Sequence, residues 1–540
     1  MRFVYEQIDS LPKLAWLATV EPLSDVVHVR HGAFVETHGR FFIEGAWDGD
    51  FAVGDFGTTN CVFGSGAVLE AGAVVFVSCA ATTDYLYWKT AEGRATVSNS
   101  LPLLLAALDD RLRPDFEFYH RINRSIVEGI DRYVTTIPTA RGSVRRLMYR
   151  NLRVPMGSRP VELEKQLAPS FRSYEAYFAY VSGRYGHIAK NARDPARAKP
   201  LAIFSTQSRG YDTTAINAMA APYGVDAAFT VSTGKVAGVF ADRETEVGPN
   251  DDGTEICQTL GIRCIPIDRR AYEREFGDES LYYATDDVNG DANFHGMCRH
   301  IDGAALLLTG TLGEIWYTRI SYYLGQESLI DGTMKRGDLG GHGLTEIRLR
   351  AGFIQVAVPY LGAQQRSDIF TITESAEMAP WRLGNVYDRP IPRRMGEEAG
   401  ISRHLFGQTK MASVVEFSRP PLPYGQALRA EYLQFLVEHR ILRPWQKLFF
   451  PLVHWMNSKI CFVSGTRHVW LYYVQRVITK LRGRPFEFDV IWSRLEGRLF
   501  CFCANKRADE YGAALAIARA TRPSIVVPDA GRPAALARVT

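Results

Sequence analysis

The chain has 540 residues, of which 46% are apolar and 23% are charged, the composition of an ordinary globular protein. A chain of this length exceeds what one hydrophobic core can organise and predicts about two or three domains. The formal net charge of +4 is too small to indicate a nucleic-acid-binding protein, because such proteins concentrate positive charge far more strongly.

Targeting and cysteine patterns favour a cytoplasmic protein. The first residues, MRFVYEQIDS, have no apolar segment behind a basic start, and no uncharged apolar run approaches the roughly 20 residues of a spanning helix. The 8 Cys residues are scattered without a CxxC pair, which favours reduced thiols. The basic and aromatic stretch 440–460 permits contact with a membrane surface, although packing of terminal helices onto the rest of the protein is favoured.

Residues 40–160 have a strand-rich pattern. The runs RFFIEG, GAVVFVSCA and DYLYWKT combine β-branched or aromatic residues with turn residues between them, and LPLLLAALDD after Ser100 predicts one short helix. A longer helix is predicted for SYEAYFAYVSGRYGHIAKNA, which leads into the charged, proline-bearing connector RDPARAKP.

From Leu201 onward, apolar runs alternate with helical patterns. The runs LAIFST, DAAFTVST, IRCIPID and AALLLTG predict strands, and this alternation is typical of a parallel sheet covered on both faces. After about residue 430 the chain becomes helical, aromatic and basic. We therefore divide the chain into residues 1–165, 166–430 and 431–540.

The turn QSRGYDTT follows the first strand of the predicted parallel sheet, where helix N-termini receive phosphate. Gly210 lets the backbone approach a ligand, Ser208 and Thr213 supply hydroxyl groups, and Arg209 is a candidate partner for phosphate. Asp212 is compatible with phosphate if Mg²⁺ bridges the two. The alternative is that Asp212 caps the helix without any ligand.

Two later segments bring further candidate residues. AALLLTGTLGEIWY is a buried strand that ends in a glycine-flanked turn, where Glu314 is a candidate second metal ligand. HLFGQTKMASVVEF places Lys410 in a polar gap, where a lysine stabilises charge that develops at a reacting centre.

These pieces, in this order, resemble the class B asparagine synthetase family and its relatives, the amide-forming ATP pyrophosphatases. The family signature Ser-Gly-Gly-x-Asp-Ser is similar to residues 208–213, with Arg209 in place of the first Gly and Thr213 in place of the last Ser. GTLGEI is similar to the family's second acidic loop and keeps Gly310 and Gly313. RAGFIQVAVPYLGAQ resembles a further family segment, but Gln355 stands where Glu is usual.

The resemblance implies an α/β protein with two different halves and covers about residues 40–420. The N-terminal half, with DGDFAVGDFG and DYLYWKT, looks like the family's glutaminase, an Ntn-hydrolase-like α+β sandwich. The following half looks like a PP-loop domain of the adenine nucleotide α-hydrolase type, with a helical C-terminal part.

The resemblance also implies a set of site residues, with ATP and Mg²⁺ as the groups bound. Lys410 and Arg209 would be catalytic and Asp212 and Glu314 would hold the metal. The nucleotide-binding positions would be Ser208, Gly210, Tyr211, Asp212, Thr213, Thr230, Ser232, Gly310 and Gly313.

The glutaminase half departs from the family at its nucleophile. A glutaminase of this type needs Cys at position 2, where its thiol attacks and its own α-amine acts as the base. This chain has Arg2 there, and its first Cys is Cys61, inside the predicted domain. The sequence therefore predicts an AMP-forming amide ligase without glutaminase activity, which joins a small-molecule, peptide or glycan carboxylate to an amine or ammonia from an unidentified donor.

Two other hypotheses remain open at the sequence level. The substitutions at Arg209, Leu312, Gln355 and Ala357 are also compatible with a catalytically inactive synthetase-like scaffold that binds a partner. A pyrophosphatase that modifies a sugar or base is less favoured, because those branches usually lack the glutaminase-like half. The sequence permits a homodimer and does not identify the substrates.

Overall fold

A computed structural model gives the structure of the chain. It describes residues 1–231, 235–236, 251–268, 293–319, 332–336, 339–385, 387–409, 411–412, 426–444, 447, 477–478, 480–483 and 491–520. Two of the expected site residues, Ser232 and Lys410, lie outside the described residues, as does most of the stretch 440–460.

The N-terminal part folds into two β-sheets. Their strands are β1 (Arg2–Gln7), β2 (Trp16–Val20), β3 (Val26–His31), β4 (Glu36–Thr37), β5 (Phe41–Trp47), β6 (Val62–Glu70), β7 (Ala73–Val77), β8 (Leu86–Ala91), β9 (Arg94–Ser98), β10 (Thr136–Thr139), β11 (Gly142–Leu147), β12 (Asn151–Pro155) and β13 (Val161–Leu163). One sheet has the order β1-β3-β2-β9-β8-β11-β10 and the other has the order β13-β12-β7-β6-β5-β4. All neighbours are antiparallel except β1 and β3, which are parallel.

The two sheets pack face to face through a shared apolar core. The Trp16 ring of one sheet lies 5.1 Å from Phe42 and 6.0 Å from Phe76 of the other sheet, measured between ring centroids. The indole Nε1 of Trp16 donates a hydrogen bond to Ser65 Oγ at 3.0 Å, so even the polar atom of this buried ring has a partner in the opposite sheet. The predicted strand-rich segment is therefore a two-sheet sandwich.

The α-helices that the structure describes begin between β9 and β10 and continue to the end of the described residues. They are α1 (Leu101–Ala107), α2 (Tyr119–Arg124), α3 (Tyr174–Ala192), α4 (Tyr211–Ala220), α5 (Thr254–Thr259), α6 (Asn293–Cys298), α7 (Thr345–Ala351), α8 (Arg366–Glu374), α9 (Pro390–Glu398), α10 (Gln426–Glu438) and α11 (Ile491–Ala520). Ser100 caps α1, since its hydroxyl accepts the N–H of Leu103 at 3.2 Å. None of the helices among the described residues is both long enough and apolar enough to cross a bilayer.

The second part of the chain forms a five-stranded parallel sheet. Its strands are β14 (Ala202–Gln207), β15 (Ala227–Val231), β17 (Cys264–Ile267), β18 (Ala305–Thr309) and β19 (Phe353–Ala357), and a separate antiparallel pair consists of β16 (Lys235–Val236) and β20 (Met411–Ala412). The order across the sheet is β17-β15-β14-β18-β19, with every neighbouring pair parallel. All residues of β15, β18 and β19 are buried, as expected for strands covered on both faces. The predicted α/β class and parallel sheet are confirmed.

A buried ion cluster joins the sandwich to the parallel-sheet part. Arg348, on α7, donates hydrogen bonds to Glu44 at 2.9 and 3.2 Å and to Asp84 at 2.6 Å. The side chains of Arg348 and Glu44 are 1% and 0% exposed. Burial raises the pKa of Glu44 even against the effect of Arg348, whereas the two carboxylates hold the pKa of Arg348 above its ordinary value despite its burial. One cation thus balances carboxylates from two parts of the sandwich.

A second buried cation lies inside the sandwich region. Lys165 follows β13 and is 6% exposed, and its Nζ donates a hydrogen bond to Asn151 Oδ1 at 2.6 Å. Burial lowers the pKa of this ammonium group to about 7. The protonation of Lys165 is therefore linked to folding.

Lys165→Met is expected to reduce the pH dependence of stability between the folded pKa of about 7 and the unfolded value of about 10.4. In this window the unfolded lysine holds a proton that the folded lysine has lost, so the free energy of unfolding rises with pH by up to about 1.4 kcal/mol per unit. The contribution is complete above the unfolded pKa and is lost as the pH falls to the folded pKa. Urea unfolding across this window, followed by tryptophan fluorescence, measures the slope.

Lys190→Met provides the control, because the Lys190 side chain is 72% exposed in its pair with Asp50. Its stability should change with pH in parallel with that of the wild type. A Lys165→Met protein with the full wild-type slope would show that Lys165 keeps its proton in the folded state.

Candidate functional site

The candidate site lies at the switch point of the parallel sheet, between β14 and β18. In the sheet, β15 and β17 lie on one side of β14, and β18 and β19 lie on its other side. In open parallel sheets of this kind, ligands bind at the carboxyl ends of the strands beside the switch point. Residues 208–212, the first loop, run from β14 into the first turn of α4, and residues 310–314, the second loop, follow β18.

The two loops touch each other through Asp212. A Cβ atom added to Gly310 would lie 2.7 Å from Asp212 Cβ, and one added to Gly313 would overlap the Asp212 carboxylate. Any larger residue at these two positions would push the loops apart. The structure therefore brings together the two segments that the sequence analysis selected, and it gives a steric reason for both glycines.

Asp212 is not the cap of α4. The N-cap residue is Gly210, it makes no side-chain cap hydrogen bond, and Asp212 is the second residue of the helix. The cap interpretation of Asp212 is therefore wrong. The first turn of α4 keeps backbone N–H groups without a side-chain cap, which together with the helix dipole favours an anion at this end.

Hydroxyl groups fix the conformation of the first loop. Ser208 Oγ accepts the N–H of Gly210 at 3.0 Å, and the N–H of Ser208 donates to Thr213 Oγ1 at 3.0 Å. The hydroxyl of Thr214 donates to the carbonyl oxygen of Gly210 at 2.8 Å. These short-range bonds hold the turn in shape, so the expected nucleotide-binding residues Ser208, Gly210 and Thr213 do lie together.

The Arg209 side chain is directed toward the start of α5. Its Nε donates to the carbonyl oxygen of Asp252 at 3.1 Å, and its Nη2 lies 3.9 Å from Glu255 Oε2. Its own backbone N–H donates to Asp251 Oδ1 at 3.0 Å. The cation that the sequence analysis assigned to phosphate thus has carbonyl and carboxylate partners beside the first loop.

A different arginine, Arg389, pairs with Asp212. It directly precedes α9, its side chain is 1% exposed, and its Nη1 donates to Asp212 Oδ1. The guanidinium lies 4.0 Å from the ring centroid of Tyr317 and 5.6 Å from that of Tyr387. Although burial alone lowers the pKa of Arg389, the Asp212 charge raises it above its ordinary value.

Sequence reasoning missed Arg389. The residue is 177 positions from Asp212, in the run YDRPIPRRMG, which contains three arginines that no pattern distinguishes. The remaining two take other roles: Arg393 donates to the hydroxyl of Tyr211, and Arg394 pairs with Glu175 at 2.7 Å. Only the position of α9 against α4 identifies which arginine faces the loop.

Glu314 supplies a second carboxylate on the loop that Asp212 contacts. It belongs to a short 3₁₀ helix, Gly313–Trp316, directly after the glycine that touches Asp212. Its Oε1 is buried and has no hydrogen-bond partner in the described part of the chain. Burial raises the pKa of Tyr317, and the charges of Asp212 and Glu314 raise it further, so both carboxylates lie near this ring.

The backbone of the second loop is strained. Leu312 is 3% exposed and adopts a φ of +74°, in the left-handed region that a branched side chain rarely occupies. Gln355, on β19, donates to Thr309 and Thr311 at 3.3 and 3.2 Å and so ties the loop to the sheet through a neutral amide.

Two other expected nucleotide-binding residues have structural partners. Tyr211 is fully buried, and its ring lies 4.9 Å from Tyr387 and 6.0 Å from Phe406, measured between centroids. It therefore packs α4 against the segments on either side of α9. Thr230, at the end of β15, accepts the N–H of Gly253 at 2.9 Å.

The pair Asp212 and Glu314 fits a magnesium ion better than a transition metal. In the residues that the structure describes, no group of three or more His, Cys, Asp or Glu side chains is placed to hold a metal ion. Mg²⁺, however, is commonly held by one or two carboxylates while phosphate oxygens and water complete its octahedron. The buried Glu314 oxygen without a partner is a position that such a cation would satisfy.

Neither of the two residues compared with a glutaminase nucleophile, Arg2 and Cys61, offers a thiolate. Arg2 begins β1, and Cys61 is 1% exposed. Burial, with a contribution from Asp48, raises the pKa of the Cys61 thiol to about 12. Only the thiolate is a good nucleophile, so Cys61 does not replace the missing residue.

Comparison with known proteins does not assign the chain to a family. No family model matches it, and no curated protein matches it significantly. The resemblance to asparagine synthetases therefore rests on the order of the motifs.

Proposed function

We propose that the protein is an ATP-dependent amide-bond synthase that forms AMP and pyrophosphate and has no glutaminase activity of its own. One observation carries the proposal: Asp212, in the first turn of the uncapped helix α4, contacts the glycine directly before Glu314, whose buried Oε1 has no partner in the described residues, at the switch point of a parallel sheet. This arrangement combines a site for a divalent cation with a site for phosphate. On this proposal, the sandwich is Ntn-like and the parallel sheet is a PP-loop domain.

Different site residues would bind the cation and the phosphates. Asp212 and Glu314 would hold Mg²⁺, which when bound neutralises part of the triphosphate charge. The N–H groups at the start of α4, beside Ser208 and Gly210, receive the pyrophosphate portion of ATP. The hydrogen bonds within the first loop keep these donors in place before the nucleotide arrives, which is the preorganisation that electrostatic catalysis requires.

The proposed reaction has two steps. An oxygen of the substrate carboxylate attacks the α-phosphorus of ATP, and pyrophosphate leaves with the electron pair of the broken P–O bond. The lone pair of an amine or ammonia then attacks the acyl carbon, AMP leaves with the electron pair of the C–O bond, and the amine loses a proton to solvent. Lys410, outside the described residues, keeps its proposed role of stabilising the tetrahedral stage.

The purified protein, given ATP, Mg²⁺ and ammonium, is expected to release equal amounts of pyrophosphate and AMP with at least one member of a carboxylate panel. Glutamine should not replace ammonium, because Arg2 and the un-ionised Cys61 provide no thiolate. Enzyme-coupled detection of pyrophosphate and chromatography of AMP measure the two products.

Each omission serves as a control in the same assay. Without carboxylate, or without Mg²⁺, pyrophosphate release should fall to the background of ATP hydrolysis. The proposal fails if the whole panel gives no release and calorimetry detects no ATP binding.

A catalytically inactive scaffold is the second candidate, and one observation favours it. Asp212 already has a cationic partner in Arg389, so its charge is balanced without any ligand. The scaffold hypothesis predicts that removal of the Asp212 charge leaves the cellular role of the protein intact.

A further inference from the structure

Arg389 is a buried cation with an unused hydrogen-bond donor. A guanidinium has five N–H donors in a fixed plane. One of them serves Asp212, while Nε is buried and has no partner in the described residues. We infer that Arg389 is the arginine that binds the phosphates of ATP, in place of Arg209, and this inference rests on the proposed function.

The position of Arg389 supports this role. Its carboxylate partner, Asp212, belongs to the first turn of α4, so the guanidinium lies beside the helix end that receives an anion. The Tyr317 ring, 4.0 Å from the guanidinium carbon, holds the plane of the side chain. Arginine in a fixed plane binds phosphate oxygens in pairs, which gives both strength and direction.

Arg209 is less suited to the same role. The Arg209 side chain, which lies near Glu255, is 39% exposed, whereas the Arg389 side chain, which pairs with Asp212, is 1% exposed. An arginine that is already desolvated and oriented loses less freedom when it binds a ligand than an exposed one does. Arg389 is therefore the preorganised arginine where the two loops meet, whereas Arg209 is directed to Asp252 and Glu255.

The ion pair also implies an order of binding. The Asp212 carboxylate pairs with Arg389, so a divalent cation that arrives alone competes with the guanidinium for it. When the cation arrives with the nucleotide, the phosphates become the new partner of Arg389. Divalent cations alone should therefore bind weakly, and cation and nucleotide should bind together with positive coupling.

Arg389→Met is expected to weaken binding of Mg–ATP about tenfold or more, the effect of losing a hydrogen bond to a charged group. The same variant should bind Mn²⁺ alone more tightly than the wild type, because Asp212 has lost its competing partner. Calorimetry measures the nucleotide affinity, and electron paramagnetic resonance measures the free Mn²⁺.

Two further variants distinguish the loss of phosphate binding from misfolding. Arg389→Lys keeps the charge beside Asp212 but loses the planar donors, so its nucleotide affinity should fall between those of the wild type and Arg389→Met. Arg394→Met is the matched control, since Arg394 lies on α9, the helix that Arg389 directly precedes, but stacks 3.8 Å from the Tyr174 ring centroid and pairs with Glu175. It should bind Mg–ATP as the wild type does.

The possible outcomes distinguish a failure of the role of Arg389 from a failure of the proposed function. Wild-type protein that binds Mg–ATP, with Arg389→Met and Arg389→Lys binding it equally well, overturns the role of Arg389 alone. A loss confined to Arg209→Met also overturns it and returns the role to Arg209. Wild-type protein that binds no nucleotide under any condition overturns the proposed function and this inference together.

Discussion

Asp212→Asn is expected to reduce magnesium-dependent pyrophosphate release by about 100-fold or more, the scale on which metal sites and charge-stabilising groups respond to substitution. Asn keeps the size of the side chain, so it preserves the fit over Gly310 and Gly313. It removes the negative charge that would hold the cation and that pairs with Arg389. Initial rates at saturating ATP and carboxylate, compared at several Mg²⁺ concentrations, measure the loss.

Asp252→Asn is the matched control for this experiment. Asp252 lies at the same edge of the sheet, but its carboxylate accepts the backbone N–H and the hydroxyl of Thr254 at 2.9 and 2.6 Å. Asn accepts hydrogen bonds at the start of a helix about as well as Asp does, so the activity of Asp252→Asn should stay within about threefold of wild type. Full pyrophosphate release by a folded Asp212→Asn protein would reject Asp212 as a metal ligand. An intact cellular role in a variant that releases no pyrophosphate would favour the scaffold.

The parallel sheet could be predicted from the sequence because its strands have an unusual composition. Strands such as β15 and β18 are buried on both faces and therefore appear as unbroken apolar runs rather than alternating ones. The contact between the two loops follows from the same pattern, since loops at the carboxyl ends of neighbouring parallel strands meet. The residues that touch, Asp212 with Gly310 and Gly313, were all selected from the sequence.

The partners of the site side chains could not be predicted in the same way. Local pattern placed Arg209 at the phosphate, but its direction depends on the packing of the segment 251–255 against the first loop. Arg389 reaches Asp212 only because α9 packs on α4 across 177 residues of sequence. The strands β1 to β4, outside the predicted strand-rich range, have two to six residues and form their pairings only within the complete sheet.

The junction between the sandwich and the parallel-sheet part also has no local signal. Arg348 bonds to Glu44 and Asp84 across separations of 304 and 264 residues. In the sequence, Arg348 is one of several charged residues in TEIRLRA, where an exposed helix face is the ordinary interpretation. The cluster nevertheless adds information about the architecture, because a buried charge network of this kind forms only if the two parts pack together.

Arg348→Met is expected to lower the free energy of unfolding of the joined parts by about 3–5 kcal/mol, the usual cost of removing one member of a buried ion pair. Met fills much of the same volume, so the loss comes chiefly from two carboxylates, Glu44 and Asp84, that remain buried without their cation. Urea unfolding followed by tryptophan fluorescence measures the change, since Trp16 reports on the core of the sandwich.

Replacing an exposed, paired arginine by Met tests whether the loss of stability in Arg348→Met comes from burial of the charges or from loss of an ion pair alone. Arg94 pairs with Glu21 at 2.7 Å with side chains 54% and 37% exposed, so Arg94→Met should change stability by no more than about 1 kcal/mol. Adding Glu44→Gln and Asp84→Asn to Arg348→Met should recover part of the lost stability, because neutral amides are less costly to bury than carboxylates. Equal effects of Arg348→Met and Arg94→Met would mean that the buried cluster does not hold the two parts together.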